Sequence, residues 1–242
     1  MIKFFRHIRQ KLLAENKFRK YLLYAIGEIV LVVIGILLAL QINAWSTNKN
    51  ERAKEQLYLR SFQNDIEVNL SELERVIEKS GFTISATDSL LRYAVGEITI
   101  EDFQMVEDLI MESANYTIFL SQEGTINDIF GSGDLALIQN ESIRKSMVNW
   151  VAKLKYLREY ESLGKNSQLQ FINYLESETP FYKLSLQNPF IDKETNDKLM
   201  YDQLFLNLVG NQKHMATVLN GLYKETISEM DKLLTKVSSS EE

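Results

Sequence analysis

The sequence predicts an all-α protein: one N-terminal transmembrane helix that continues into a helical, antiparallel bundle-like ectodomain. Three observations carry this reading. The stretch from Tyr21 to Ile42, YLLYAIGEIVLVVIGILLALQI, is mostly apolar, and a bilayer core of about 30 Å is crossed by about 20 such helical residues. Downstream, apolar residues recur at steps of three and four in several long stretches, the period of an amphipathic helix. The whole chain of 242 residues has only 2 prolines, Pro180 and Pro189, so little interrupts helical backbone.

Residues 1–20 form a basic segment carrying Lys3, Arg6, Arg9, Lys11, Lys17, Arg19 and Lys20 against Glu15. Within it, Met1 to Asn16 reads either as an amphipathic helix on the inner leaflet, with Phe4, Phe5, Ile8, Leu12 and Leu13 on one side, or as a topogenic tail without fixed structure. Residues 21–45 are the span. From Tyr21 to Leu40 its one charged side chain is Glu28. Tyr24 and Trp45, separated by roughly 31 Å at ~1.5 Å per residue, mark the two headgroup levels. No small-x-small cleavage site follows the apolar core, so the segment is expected to stay as a signal anchor. The excess of Lys and Arg before the span puts the N-terminus in the cytoplasm and the rest outside it.

Composition bounds the remainder. With 45% hydrophobic and 25% charged residues the chain is globular, not disordered. Residues 1–45 carry a net charge of +5 against −6 for the whole chain, which leaves −11 on the remainder. A domain so acidic repels nucleic acid, which excludes DNA or RNA as partner, whereas the basic tail favours anionic lipid. The absence of cysteine removes disulfides, thiolate zinc sites and cysteine nucleophiles.

Residues 46–237 read as the helical extracytoplasmic domain. The span is expected to continue through STNKNERAKEQ into a stripe of Leu57, Phe62, Ile66, Leu70, Leu73 and Ile77, with Gly81 as an end, a bend or a tolerated residue. Gly96 closes that region. Thr99 and Asp102 suggest a capping box opening IEDFQMVEDLIMES. NYTIFL, Asn115 to Leu120, reads as a packed loop, because no partner strand is visible. Thr125 and Asp128 suggest a cap before INDIF, and Gly131-Ser132-Gly133 breaks the chain. Asn140 caps a helix on which Ile143, Met147, Trp150, Leu154 and Leu157 step by 4, 3, 4 and 3, a coiled-coil-like seam for another helix. Gly164 to Ser167 is a turn or a tolerated interruption. After a connector between the prolines, a last helix starts between Asp192 and Lys198 and carries Leu204, Leu208, Met215, Leu219, Leu222, Ile227, Met230 and Leu234. Residues 238–242 are a disordered tail.

FFRHIRQKLLAENKFRKYLLYAIGEIVLVVIGILLALQINAW resembles the N-terminal signature of a family of uncharacterised bacterial single-span inner-membrane proteins. INDIFGSGDLALIQNESIRKSMVNW is similar to that family's second shared block. The resemblance implies inner-membrane anchoring and a helical ectodomain, and supplies no activity, cofactor or catalytic residue.

Chemistry-bearing patterns are sparse. His7 and His214 are the 2 histidines, and neither has a metal-ligating partner at helical spacing. No nucleophile elbow or P-loop occurs, and Gly131-x-Gly133 lacks the residues that would cradle a phosphate. The acidic pairs Glu72/Glu74, Glu101/Asp102, Glu159/Glu161 and Glu176/Glu178 read as solvated faces. Trp150, Tyr156, Tyr160, Phe171 and Tyr174 read as core packing or, alternatively, as a ligand pocket. No enzyme activity and no cofactor are expected.

Glu28 stands apart, because a carboxylate within a span is costly. It shares a helix face with Val32, Gly35 and Ala39, of which Gly35-x-x-x-Ala39 is a small-xxx-small pair suited to close helix approach. Two readings stay open: this face contacts another span, or Glu28 lies within reach of headgroups. The sequence thus predicts a membrane-anchored interaction protein that presents an acidic helical domain in the periplasm and assembles with itself or another membrane protein. The alternative is a periplasmic small-molecule sensor relying on a separate transducer. A weaker third is a proton or ion role for Glu28 within a larger complex.

Overall fold

Residues 18–239 are described by a computed structural model of the chain. It is all-α: among the described residues there are six α-helices, two short 3-10 turns and no strand. The helices are α1 (Phe18–Ala94), α2 (Phe103–Ser113), α3 (Gly124–Ser132), α4 (Glu141–Glu178), α5 (Lys193–Tyr201) and α6 (Gln203–Ser238). The 3-10 turns are Asp134–Leu137 and Phe181–Leu186. The chain divides into two units, Met1–Gln56 and Leu57–Glu242. The basic segment before residue 18 and the last residues of the tail lie outside the described residues.

The described residues of the first unit, 18–56, are the early part of α1. Their apolar side chains, among them Leu23, Ile29, Leu31 and Ile42, are half to two-thirds exposed. Trp45 is exposed, with the Lys49 ammonium 5.5 Å from its ring centroid.

In the second unit α6 runs antiparallel to both α1 and α4. Lys153 and Ser167 of α4 meet Glu229 and Asn211 of α6, and Ser80 and Asp88 of α1 meet Asn220 and Lys213. α1 passes through Gly81, where an added Cβ would meet nothing within 4 Å. It ends in a Schellman turn: Gly96 takes φ +76°, its N–H donates to Tyr93 O at 3.0 Å, and Glu97 N–H donates to Arg92 O at 2.9 Å. α4 runs unbroken through Gly164 and is capped by Asn140, whose Oδ1 accepts from Ser142 N at 3.0 Å and Ile143 N at 3.3 Å.

Several expectations change. α2 starts at Phe103 and is capped by Asp102 accepting from Gln104 N, so Thr99 has no capping part. α3 begins at Gly124 without a local side-chain cap. Asp65 of α1 instead accepts from Thr125 N at 3.0 Å. The last helical stretch is two helices, because Asp202 leaves helical backbone and caps α6 through Leu204 N at 2.8 Å. The apolar stripes are out of phase at their starts: Leu57 and Leu204 are exposed, while Leu59, Asn69 and Ser80 on α1 and Phe205, Val209 and Gln212 on α6 are buried. The buried line runs through polar residues, which an apolar pattern skips.

The core is split. One cluster joins Phe62, Ile66 and Leu73 of α1 to Trp150 and Leu154 of α4 and to Tyr223 and Met230 of α6. The other joins Leu90, Ile110 of α2, Phe171 and Leu175 of α4, Phe190, Leu199 and Phe205. Each fully buried large side chain contributes about 1.5–3 kcal/mol.

Candidate functional site

Two places carry more than packing. One lies in the first unit and one in the second.

In the first unit Glu28, Val32, Gly35 and Ala39 follow one another along α1. Val32 is 57% exposed, Gly35 and Ala39 are exposed, Glu28 is half-buried, and a Cβ on Gly35 would touch nothing within 4 Å. A groove of about 450 Å³ beside Glu28 is lined by Leu23, Tyr24, Gly27 and Leu31. Gly27 therefore belongs with Glu28. Its signal in the sequence was a second small residue directly beside the carboxylate.

The seam on α4 lies elsewhere. Ile143, Met147, Trp150, Leu154 and Leu157 are all buried within the first core cluster of the second unit, packed with side chains of α1 and α6. The chain's own helices occupy the seam, which leaves it closed to a second protein. The aromatic set does not converge on one pocket either. Trp150 lies in the first cluster, Phe171 and Tyr174 in the second, and Tyr156 is exposed.

Between the two apolar clusters the second unit has a polar layer. On α1 the first cluster stops at Ile77 and the second starts at Leu90, with buried Ser80, Thr83 and Thr87 between. On α4 the gap between Tyr160 and Phe171 holds Glu161, Gly164 and Ser167. On α6 the gap between Val209 and Leu219 holds Gln212 and Ala216, with Asn220 alongside. Most of these polar groups are satisfied. Asn220 Nδ2 donates to Ile77 O and Ser80 Oγ, both at 2.8 Å, and Asn211 Nδ2 donates to Ser167 Oγ at 2.8 Å.

Glu161 is the charged member. The sequence places it in a solvated acidic pair, yet it is 3% exposed. The reason is its phase: one step of four beyond Leu157, it continues the seam inward. Its Oε1 accepts from Phe119 N and from the Tyr223 hydroxyl, each at 2.8 Å. Burial raises its pKa above the usual carboxyl value, while those two bonds and the Arg158 charge pull it down. The Tyr116 hydroxyl donates to Glu161 O at 2.6 Å, and burial followed by the Glu161 charge pushes its pKa up to about 12. Burial, again followed by Glu161, raises Tyr223 further still. Both tyrosines are thus neutral donors at pH 7.

Of the residues bonded to Glu161, Tyr223 is on α6, whereas Phe119 and Tyr116 belong to a non-helical strap between α2 and α3, the segment expected to be a packed loop. Side chains hold its backbone. Gln168 donates to Ala114 O at 2.8 Å, and Glu72 accepts from Leu120 N at 3.3 Å. Asn69 both donates to Gln122 O at 2.9 Å and accepts from Gln122 N at 2.6 Å. A cleft of about 450 Å³ outside the strap is lined by Tyr116, Phe119, Ser121, Arg158, Glu161 and Lys165. Among the described residues no three His, Asp or Glu side chains converge as metal ligands. What this arrangement does chemically is clamp the strap through a buried acceptor.

Residues 28–210 match the model of a family of unknown function (DUF6090), and the chain belongs to that family. No curated protein matches the chain. No solved structure matches it either.

Proposed function

We propose that this member of the DUF6090 family is a single-span inner-membrane protein that presents its acidic helical unit in the periplasm and assembles there with copies of itself or with another membrane protein. One observation carries the membrane part. The most apolar window of α1 is 0% buried inside the chain. A soluble protein would have to cover such a surface, and a bilayer does so. The orientation rests on the basic residues before the span and the acidic balance after it. With the α4 seam closed inside the core, assembly rests on the span face of Glu28, Val32, Gly35 and Ala39. The sensor reading has less support, because the cavity inside the polar layer measures about 20 Å³, too small for a metabolite, and the cleft of about 450 Å³ outside the strap lies open to solvent.

The chain has 0 cysteines, which makes single-cysteine chemistry clean. The full-length protein is expected in the pellet after alkaline carbonate extraction of membranes. Lys232→Cys is expected to react with a membrane-impermeant maleimide without cell lysis. Extraction into the soluble fraction, or labelling only after lysis, would defeat the anchoring or the orientation respectively. Oxidative crosslinking of single cysteines from residue 24 to residue 42 is expected to peak at Gly35 and Ala39, and Glu28→Gln is expected to weaken it. A flat profile unaffected by that substitution refutes assembly through this face.

A further inference from the structure

We infer that the polar layer of the second unit is a binding site for one water molecule, held between Thr83 of α1 and Gln212 of α6. The cavity there measures about 20 Å³, and its wall includes Ser80, Thr83, Tyr116, Gly164, Gln212 and Ala216. About 10–15 Å³ of such space admits a single water, provided polar partners surround it. Two wall side chains supply them. Thr83 Oγ1 and Gln212 Nε2 have no hydrogen-bond partner in the protein, although Thr83 is 2% and Gln212 4% exposed. Buried donors left unpaired are rare in folded proteins, and an internal water is the usual way such groups are satisfied.

The orientation of Thr83 supports this. A buried hydroxyl on a helix normally bonds back to a carbonyl one turn earlier. Ser80 does so to Val76 O and Thr87 to Thr83 O, each at 2.8 Å. Thr83 lies between them on the same face and makes no such bond. Thr83 instead borders the cavity that Gln212 also lines. Small residues keep that space open: a Cβ on Gly164 would come within 3.0 Å of Leu219 Cδ1 and 3.3 Å of Tyr116 Cε2. The guest accepts an N–H from Gln212 and exchanges a hydrogen bond with Thr83. Asn115 and Thr117, which also line the cavity, are in place for a third contact.

The test is a double-mutant cycle on the full-length chain in detergent, read as the thermal unfolding midpoint. Valine has the shape of threonine without its hydroxyl. With a bridging water, Thr83→Val strips one anchor from it, and the midpoint falls by about 2–4 °C. Gln212→Leu lowers it similarly, and the double variant falls by less than the sum, because one bridge is lost only once. In a dry cavity Thr83→Val removes an unpaired hydroxyl, so an unchanged or raised midpoint overturns the proposal, as does strict additivity. A crystal structure gives an independent reading. One solvent peak within hydrogen-bond distance of both Thr83 Oγ1 and Gln212 Nε2 is expected. No peak, or density larger than a single water, overturns it.

Discussion

Replacing Glu161 with leucine, and separately with glutamine, separates its role as an acceptor from its charge. Leucine removes the partner of two buried donors, Phe119 N–H and the Tyr223 hydroxyl. Phe119 N–H is left orphaned and the Tyr223 hydroxyl keeps only a long bond to Thr117 O at 3.4 Å, so at about 1–3 kcal/mol per lost partner the pair costs at most about 6 kcal/mol. Loss of a desolvated carboxylate returns part of that, so a net destabilisation of about 2–4 kcal/mol is expected. Against a total of about 5–15 kcal/mol this is a large fraction. Glutamine keeps an oxygen for both donors and removes the charge, so Glu161→Gln is expected within about 1 kcal/mol of wild type. Urea unfolding followed by tryptophan fluorescence reads this locally, because Trp150 meets Phe119 edge-on with ring centroids 6.4 Å apart. A Trp45→Phe background removes the other tryptophan. The pH dependence has a definite sign. Burial raises the Glu161 pKa, so the folded state holds its proton more tightly than the unfolded chain. That contribution is fully present below the ordinary carboxyl range and is lost as pH rises through the folded value. Wild type should therefore gain on Glu161→Gln as pH falls from 7. Glu72, lowered by its bond to Arg75, moves oppositely but is common to both proteins and cancels. A leucine variant as stable as the glutamine variant would refute the clamp, and a wild type that loses stability relative to Glu161→Gln as pH falls would refute the raised pKa.

Two glycines on long helices should respond in opposite ways. Gly221→Ala meets nothing within 4 Å and should stabilise by about 0.5–1 kcal/mol from backbone entropy alone, whereas Gly164→Ala, with its contacts at 3.0 and 3.3 Å, should show no gain or a loss. Paired thermal melts decide it, and equal gains would show that Gly164 sets no close approach. Asn69→Ala breaks both bonds to Gln122 and should cost about 2–3 kcal/mol, with faster hydrogen exchange at the strap amides as the local signature. Asn140→Ala removes the cap of α4 and should cost about 1 kcal/mol by urea unfolding, without the strap signature.

Much of the helical frame was legible because its signals are local. The cap at Asn140, the stop at Gly96 and the break at Gly133 each depend on the chemistry of one residue and its immediate neighbours. The boundaries that failed were those settled from a distance. α3 takes its N-terminal acceptor from Asp65, which lies 60 residues away in sequence. No window around Thr125 contains that residue. Glu161 failed for a different reason. Its charge suggested solvent, and only its phase, continuing the seam past Leu157, pointed inward. The stripes on α1 and α6 slipped in the same way, since Asn69, Ser80 and Gln212 occupy core positions that an apolar pattern discards.

By itself, then, the sequence determined what composition and near neighbours control: an all-α chain, one helix apolar enough for a bilayer, and an acidic remainder poor in catalytic patterns. Tertiary structure decided which partner each buried face meets. It closed the Ile143-to-Leu157 seam within the chain, left the apolar part of α1 uncovered, and divided the core with a polar layer. The physical reason is that a buried polar side chain is tolerable only where a partner waits. Those partners, Phe119 and Tyr223 for Glu161 and Gln122 for Asn69, are brought together by the packing of helices far apart in the chain.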